Sequence, residues 1–333
     1  MAGKTYAPGA RRIITLAISL AALISSADAY DVIAAGEAAN GSICEAVNNG
    51  EFYWEIGAST GGPIVSGQVG SAYDRMTTVP IASASKWIFG AYVVERFGGV
   101  PTGSVGAELV KALNMKSGYI SFGPLSCVLA FRVKRCFVAG DNDEYTAAAD
   151  GEFFYGGGHA QYIAATDSLL GLGAKTRVKL LNEINSWLAL GPSFAYRNPG
   201  LAGGMEANAA DYAAFLQRIM LGSYEISDLL NYSPVATAPC AVGLSGCSPV
   251  EGIDPHYSLH HWIEDDNGGT VRGVAMTPGD GSHSSPGALG FYPWISADMN
   301  FYGVISTDGP ISSDPAPKSL ACGRAIRDAF FSN

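Results

Sequence analysis

Charge is scarce in this chain, and positive charge scarcer still. Only 15% of the 333 residues are Asp, Glu, Lys or Arg, and the formal net charge is −10. No basic stripe is present to neutralise phosphates, which excludes nucleic acid as a partner. Neither Cys-x-x-Cys nor His-Glu-x-x-His occurs, so the usual zinc spacings are missing. His256 and His260 stand four apart with His261 beside them, but Trp262-Ile263 read as strand, where that spacing does not converge on a metal. No metal and no cofactor is expected. Beyond residue 29 no apolar run approaches the ~20 residues that cross a bilayer, and neither internal repeats nor low-complexity segments are visible.

Hydrophobic residues, by contrast, make up 48% of the chain, enough for one large domain with a substantial core. The N-terminus reads as an export signal. Arg11 and Arg12 precede an apolar stretch from Ile13 to Ile24, and Ala27-Asp28-Ala29 offers small residues to a signal peptidase. Cleavage after Ala29 would leave 304 residues in a periplasmic or secreted protein. An even six cysteines then imply disulfides. Proximity pairs Cys127 with Cys136 and Cys240 with Cys247, leaving Cys44 and Cys322 to staple the chain ends. That is one of fifteen possible pairings.

Alternation and turn residues predict a hairpin from residues 51–57 and 63–70. Gly57-Ala58-Ser59-Thr60-Gly61 has the nucleophile-elbow pattern Gly-x-Ser-x-Gly, but a strand follows where that elbow needs a helix, so it reads as the hairpin turn. Helices are predicted over 83–97, 162–170, 176–190 and 207–221. Strands return at 260–265 and 270–276 around Asn267-Gly268-Gly269, and at 287–295 and 300–306; a last helix covers 317–331. This order implies one sheet drawn from both chain ends (about 30–82 and 250–333) and a mainly helical part (about 83–249), with a cleft between them.

Three segments carry chemistry. In Ser83-Ala84-Ser85-Lys86, a lysine three residues along a helix shares a face with the serine and can reach its hydroxyl. A buried lysine loses its proton more readily and can activate that hydroxyl. The plain alternative is a helix start capped by Ser83. Phe153-Phe154-Tyr155-Gly156-Gly157-Gly158-His159 sets a tyrosine in a glycine-rich loop. Its phenol can relay a proton if nearby cations lower its pKa; otherwise it is a core tyrosine beside a turn. His283-Ser284-Ser285-Pro286-Gly287-Ala288 leads into a strand whose edge can offer the Ala288 N–H, with that of Ser83, to an oxyanion.

In this order and spacing, the three segments resemble the serine β-lactamase and penicillin-binding-protein superfamily. The similarity is strongest to its class C-like branch of esterases, D-aminopeptidases and oligomer hydrolases. Leu201-Ala202-Gly203-Gly204-Met205, running on to Ala210-Asp211-Tyr212 and Phe215-Leu216, also resembles that branch. The resemblance spans residues 51–331. It implies an α/β sandwich with a five-stranded antiparallel sheet, terminal helices and a helical lobe. It also implies acylation of Ser83, with Lys86 and Tyr155 sharing acid–base work.

Two departures bear on substrate. Gly157 stands where the family's Tyr-x-Asn carries its amide. Ser285-Pro286-Gly287 stands where a Lys or His opens the third motif. His283, two residues upstream on the same strand face, is the candidate replacement for that cation. Both losses argue for a neutral ester or amide over a β-lactam. A β-lactamase, a D-aminopeptidase-type enzyme, or a non-catalytic acyl- or peptidoglycan-binding relative are the alternatives.

Overall fold

The computed structural model describes residues 30–332; the expected export signal lies outside them. In chain order the helices of eight residues or more are α1 (Val32–Ala39), α2 (Ser85–Phe97), α3 (Gly103–Leu113), α4 (Gly158–Ala165), α5 (Arg177–Leu188), α6 (Ala209–Met220) and α7 (Pro315–Phe330). The main-sheet strands are β1 (Phe52–Ala58), β2 (Pro63–Val69), β3 (Val235–Ala236), β4 (His256–Ser258), β5 (His261–Glu264), β6 (Ser282–Ser284), β7 (Tyr292–Ile295) and β8 (Phe301–Ser306).

Local chemistry sets several boundaries. Asp31, Thr176 and Asn208 cap α1, α5 and α6, each side chain accepting a backbone N–H of the first turn. Gly98 ends α2 in the left-handed conformation, at φ 63°. Ser59 lies in the turn between β1 and β2, as the hairpin reading requires.

The strands form one sheet in the order β2-β1-β8-β7-β6-β5-β4-β3, with every pairing antiparallel. Eight strands replace the expected five. The additions include β3, β4 and β6, two or three residues long, too short to show an alternation in sequence. The hairpin expected around Asn267-Gly268-Gly269 is also different. β5 pairs with β4 and β6, while Gly269–Val271 and Val274–Met276 form a separate ribbon turning at Arg272-Gly273. Gly269 serves close packing instead: a Cβ there would lie 2.2 Å from the Gly252 carbonyl oxygen.

Alternation along the strands feeds two cores. Phe52, Trp54 and Ile56 of β1 face one core with Trp294, Ile305 and residues of α1 and α7. Tyr53 faces the other with Tyr302, Val304 and residues of α2, α3, α5 and α6. The sheet is thus covered on both faces, by the terminal helices on one side and the helices of the chain middle on the other. All three expected disulfides are present: Cys44–Cys322, Cys127–Cys136 and Cys240–Cys247. They fit an oxidising compartment. Among the described residues no helix is long and apolar enough to cross a membrane.

Candidate active site

Ser83 sits in a single 3₁₀ turn, Ala82–Ala84, that runs directly into α2. The turn is held from several sides. Ile81 N–H donates to the Met205 carbonyl, and the Tyr212 hydroxyl to the Ala84 carbonyl. Ala82 takes a left-handed φ of 43°, and the Ser85 hydroxyl donates to its carbonyl at 2.6 Å. Such strain at a non-glycine residue persists only where the surroundings enforce it. Ser83 caps nothing. Its Oγ instead lies 3.0 Å from Nζ of Lys86, one helical turn on.

Lys86 is buried, and its Nζ also donates to the Ala202 carbonyl at 3.0 Å. Among the described residues no carboxylate pairs with it, and burial brings its pKa down to about 7. Ala202 lies in the Leu201–Met205 segment, so that segment's part in the site is a backbone carbonyl, which residue identity does not advertise.

Tyr155 closes the group from the opposite side. Lys86 Nζ lies 4.6 Å from the centre of its ring. The ring stacks on Trp262 at 5.3 Å, and the Tyr155 N–H donates to the Cys247 carbonyl at 2.7 Å, tying the loop to the Cys240–Cys247 disulfide. The lowered phenol pKa expected from nearby cations is not found. Burial pushes Tyr155 up to about 12, outweighing hydrogen bonds with Ser83 and Trp262.

The glycines after Tyr155 have a packing explanation. A Cβ on Gly156 would lie 2.4 Å from the Ile120 carbonyl oxygen, and one on Gly158 2.5 Å from those of Tyr119 and Ser121. One on Gly157 would enter the Phe122 ring at 2.5 Å. Gly157 is buried, and Phe122 occupies the space a side chain there would need.

The third segment is a strand end and a loop. Ser285 N–H donates to the Pro293 carbonyl, and its hydroxyl to the Ser83 carbonyl at 3.1 Å, so Ser285 grips the nucleophile's backbone. Gly287 N–H donates to Phe291, and a Cβ on Gly287 would lie 2.3 Å from the Ile81 carbonyl oxygen. The strand expected from residue 287 therefore starts at Tyr292, and Ala288 lies in the turn before it. Ala288 is exposed and lines a cavity with Ser83; among the described residues no backbone carbonyl accepts its N–H.

His283 is corrected as a replacement cation. It is buried, hydrogen-bonded to His261 at 3.2 Å, and burial holds its pKa down to about 4. It lies outside the linings of the cavities at Ser83 and Tyr155, as a neutral ring at ordinary pH. Its sheet neighbour His261 stacks on Trp87, while His256 pairs with Asp265.

One cavity reaches both Ser83 and Tyr155, and a second reaches Tyr155 without Ser83. One, of about 120 Å³, is lined by Ser83, Tyr155 and Ala288 and walled by Val250, Trp262 and Leu320. The other, of about 520 Å³, shares Tyr155 and Pro249 with the first. Leu320 carries no signal in the sequence and Trp262 only that of a strand residue, because long-range packing alone brings them to the cavity beside the serine.

The fold has solved counterparts. EstCE1, a hydrolase with promiscuous acyltransferase activity, superposes with TM-score 0.61 at 12% identity, over 90% of this chain and 99% of that one. A D-stereospecific amidohydrolase from Streptomyces sp. gives 0.55 at 14%, over 90% and 98%. A β-lactamase from Mycobacterium bovis gives 0.54 at 15%, over 84% and 95%. The chain has the fold of the serine β-lactamase and penicillin-binding-protein superfamily. At these identities the likeness establishes the fold alone. No family profile and no curated protein matches the sequence.

Proposed function

We propose that the protein is an exported serine hydrolase that cleaves a carboxylic ester or amide through an acyl-enzyme on Ser83. The observation that carries this reading is the Ser83–Lys86 pair: a hydroxyl 3.0 Å from an amine whose pKa burial brings to about 7. An amine tuned near neutrality takes a serine proton far more readily than an ordinary lysine. As Lys86 takes that proton, Oγ attacks the substrate carbonyl carbon. The N–H groups of Ser83 and Ala288 receive the oxyanion. Collapse breaks the bond to the leaving group, which takes a proton from the Tyr155 hydroxyl, and protonated Lys86 makes good that loss. Water, losing a proton to Lys86, then attacks the acyl carbon; as the acyl bond breaks, Lys86 returns that proton to Oγ of Ser83 and the acid is released. A phenol raised to about 12 is protonated at neutral pH, which suits Tyr155 to the donor role.

The test is hydrolysis of 4-nitrophenyl acetate and butyrate by the mature protein and its Ser83→Ala variant, with intact mass after fluorophosphonate labelling. Turnover and a single adduct, both lost in the variant, are expected. Absence of both from the wild type would favour a non-catalytic acyl-binding protein; activity surviving in the variant would remove Ser83 from the role. Rapid turnover of nitrocefin would move the assignment to a β-lactamase.

A further inference from the structure

The third motif lacks a cation, yet the fold delivers one to the site from elsewhere. Arg272 lines both cavities, and each cavity also includes Tyr155 in its wall. It sits in the two-residue loop between Val271 and Val274, where Arg272 and Gly273 take φ of 47° and 83°. Such a loop favours Asn-Gly, because both residues must be left-handed. An arginine there is strained, and local turn chemistry does not call for it.

Its partner is as unusual. Asp314 also lines the smaller cavity, also has a left-handed φ of 48°, and immediately precedes α7. An aspartate in that position ordinarily caps the helix. This one makes no cap bond and pairs with Arg272 at 2.9 Å instead. The two side chains are 53% and 45% exposed. A pair so open to solvent is weak and readily exchanged for another carboxylate. Apart from Ser83, Tyr155 and this pair, the smaller cavity is apolar, with Val250, Trp262, Ile311 and Leu320 in its lining; the larger also has the acidic Glu251.

We propose that Arg272 determines substrate specificity. It binds the carboxylate of an ester or amide whose apolar portion fills the smaller cavity, and Asp314 takes that place when substrate is absent. The planar guanidinium fork matches a carboxylate in two parallel hydrogen bonds. The carboxylate belongs either to the acyl part or to the leaving part. This inference rests on Ser83 being the nucleophile.

The experiment uses three esters: neutral 4-nitrophenyl butyrate, the 4-nitrophenyl monoester of glutarate (carboxylate on the acyl side) and 3-butyryloxybenzoate (carboxylate on the leaving side). Each is compared between wild type and Arg272→Asn, so differences in intrinsic reactivity cancel. Asparagine tolerates the left-handed backbone and removes the charge. Relative to the neutral ester, one anionic ester should lose about tenfold or more in kcat/KM, chiefly through KM. Which one identifies the side that carries the charge. Arg272→Lys should lose less, and Asp314→Asn should raise the same ratio. Equal changes for all three esters would overturn the proposal. Calorimetric binding of the same esters to Ser83→Ala protein, with and without Arg272→Asn, reads the arginine independently of turnover. Weaker binding of an anionic ester alone supports the proposal, and no difference refutes it, even if wild-type inactivity has removed the hydrolase reading.

Discussion

Nζ of Lys86 lies 4.6 Å from the centre of the Tyr155 ring and 3.0 Å from Oγ of Ser83. The ring favours the charged ammonium, yet burial wins and holds the pKa at about 7. One lysine thus touches both groups between which a proton must travel.

A pH dependence follows. Only neutral Lys86 accepts the serine proton, so kcat/KM for a neutral ester should rise about tenfold per pH unit below 7 and level off above it. Lys86→Arg, which stays protonated, should lose roughly 10²–10⁴-fold. Stability carries the same signature. Between pH 7 and the ordinary lysine value of 10.5, the unfolded chain binds the proton and the folded one does not. Lys86's contribution to stability therefore rises across that window and is least favourable below pH 7. Lys86→Met should raise Tm most on the acidic side; a uniform or absent change across pH would contradict this account.

Position 157 is closed to side chains by Phe122. Gly157→Asn should destabilise the protein by about 1–3 kcal/mol through overpacking and displace the Tyr155 loop, lowering kcat. Phe122→Ala opens the space. Combined with Gly157→Asn, it should recover part of the loss, so a double-mutant cycle in urea will show strong coupling. Additive effects would mean that the two positions do not meet.

The disulfides should separate stability from activity. Cys44–Cys322 closes a sequence separation of 278 residues, and its removal should cost about 4 kcal/mol or more. Cys240–Cys247 spans only 7, so its removal should lower Tm less. The carbonyl of Cys247 holds Tyr155, however, so the Cys240→Ser/Cys247→Ser variant should lose kcat out of proportion to its stability. Melting curves and ester kinetics on the two double-serine variants decide the point.

Acid stability should depend on Glu264. Burial alone would raise its pKa, but Arg327 and Arg324 outweigh that and bring it to about 2. The carboxylate's stabilisation is full above its ordinary value of 4.5 and is lost as pH falls through about 2. Glu264→Gln should destabilise by about 3–5 kcal/mol at pH 7, because it leaves buried arginines short of a partner. It should also flatten the decline between pH 4.5 and 2. An acid profile identical to wild type would place the sensitivity elsewhere.

Local rules made much of this legible. Ser83 and Lys86 are three residues apart, so any helix there brings them together, and the 52–69 hairpin announces itself by alternation and glycine. At His283 strand periodicity gives a face but not a depth: the residue is buried and absent from the linings of the cavities at Ser83 and Tyr155. The sheet was undercounted because its shortest strands exist only through their neighbours.

The sequence by itself determined which groups could react and that its six cysteines could pair, matters of short spacing or simple counting. Only the tertiary structure decided their chemical state and surroundings. Depth of burial set Lys86 near 7 and Tyr155 near 12. Long-range packing put Phe122 at Gly157 and brought Arg272 and Asp314 together on the cavity lining. Desolvation and distant contacts depend on what the rest of the chain folds around a residue, which no local pattern encodes.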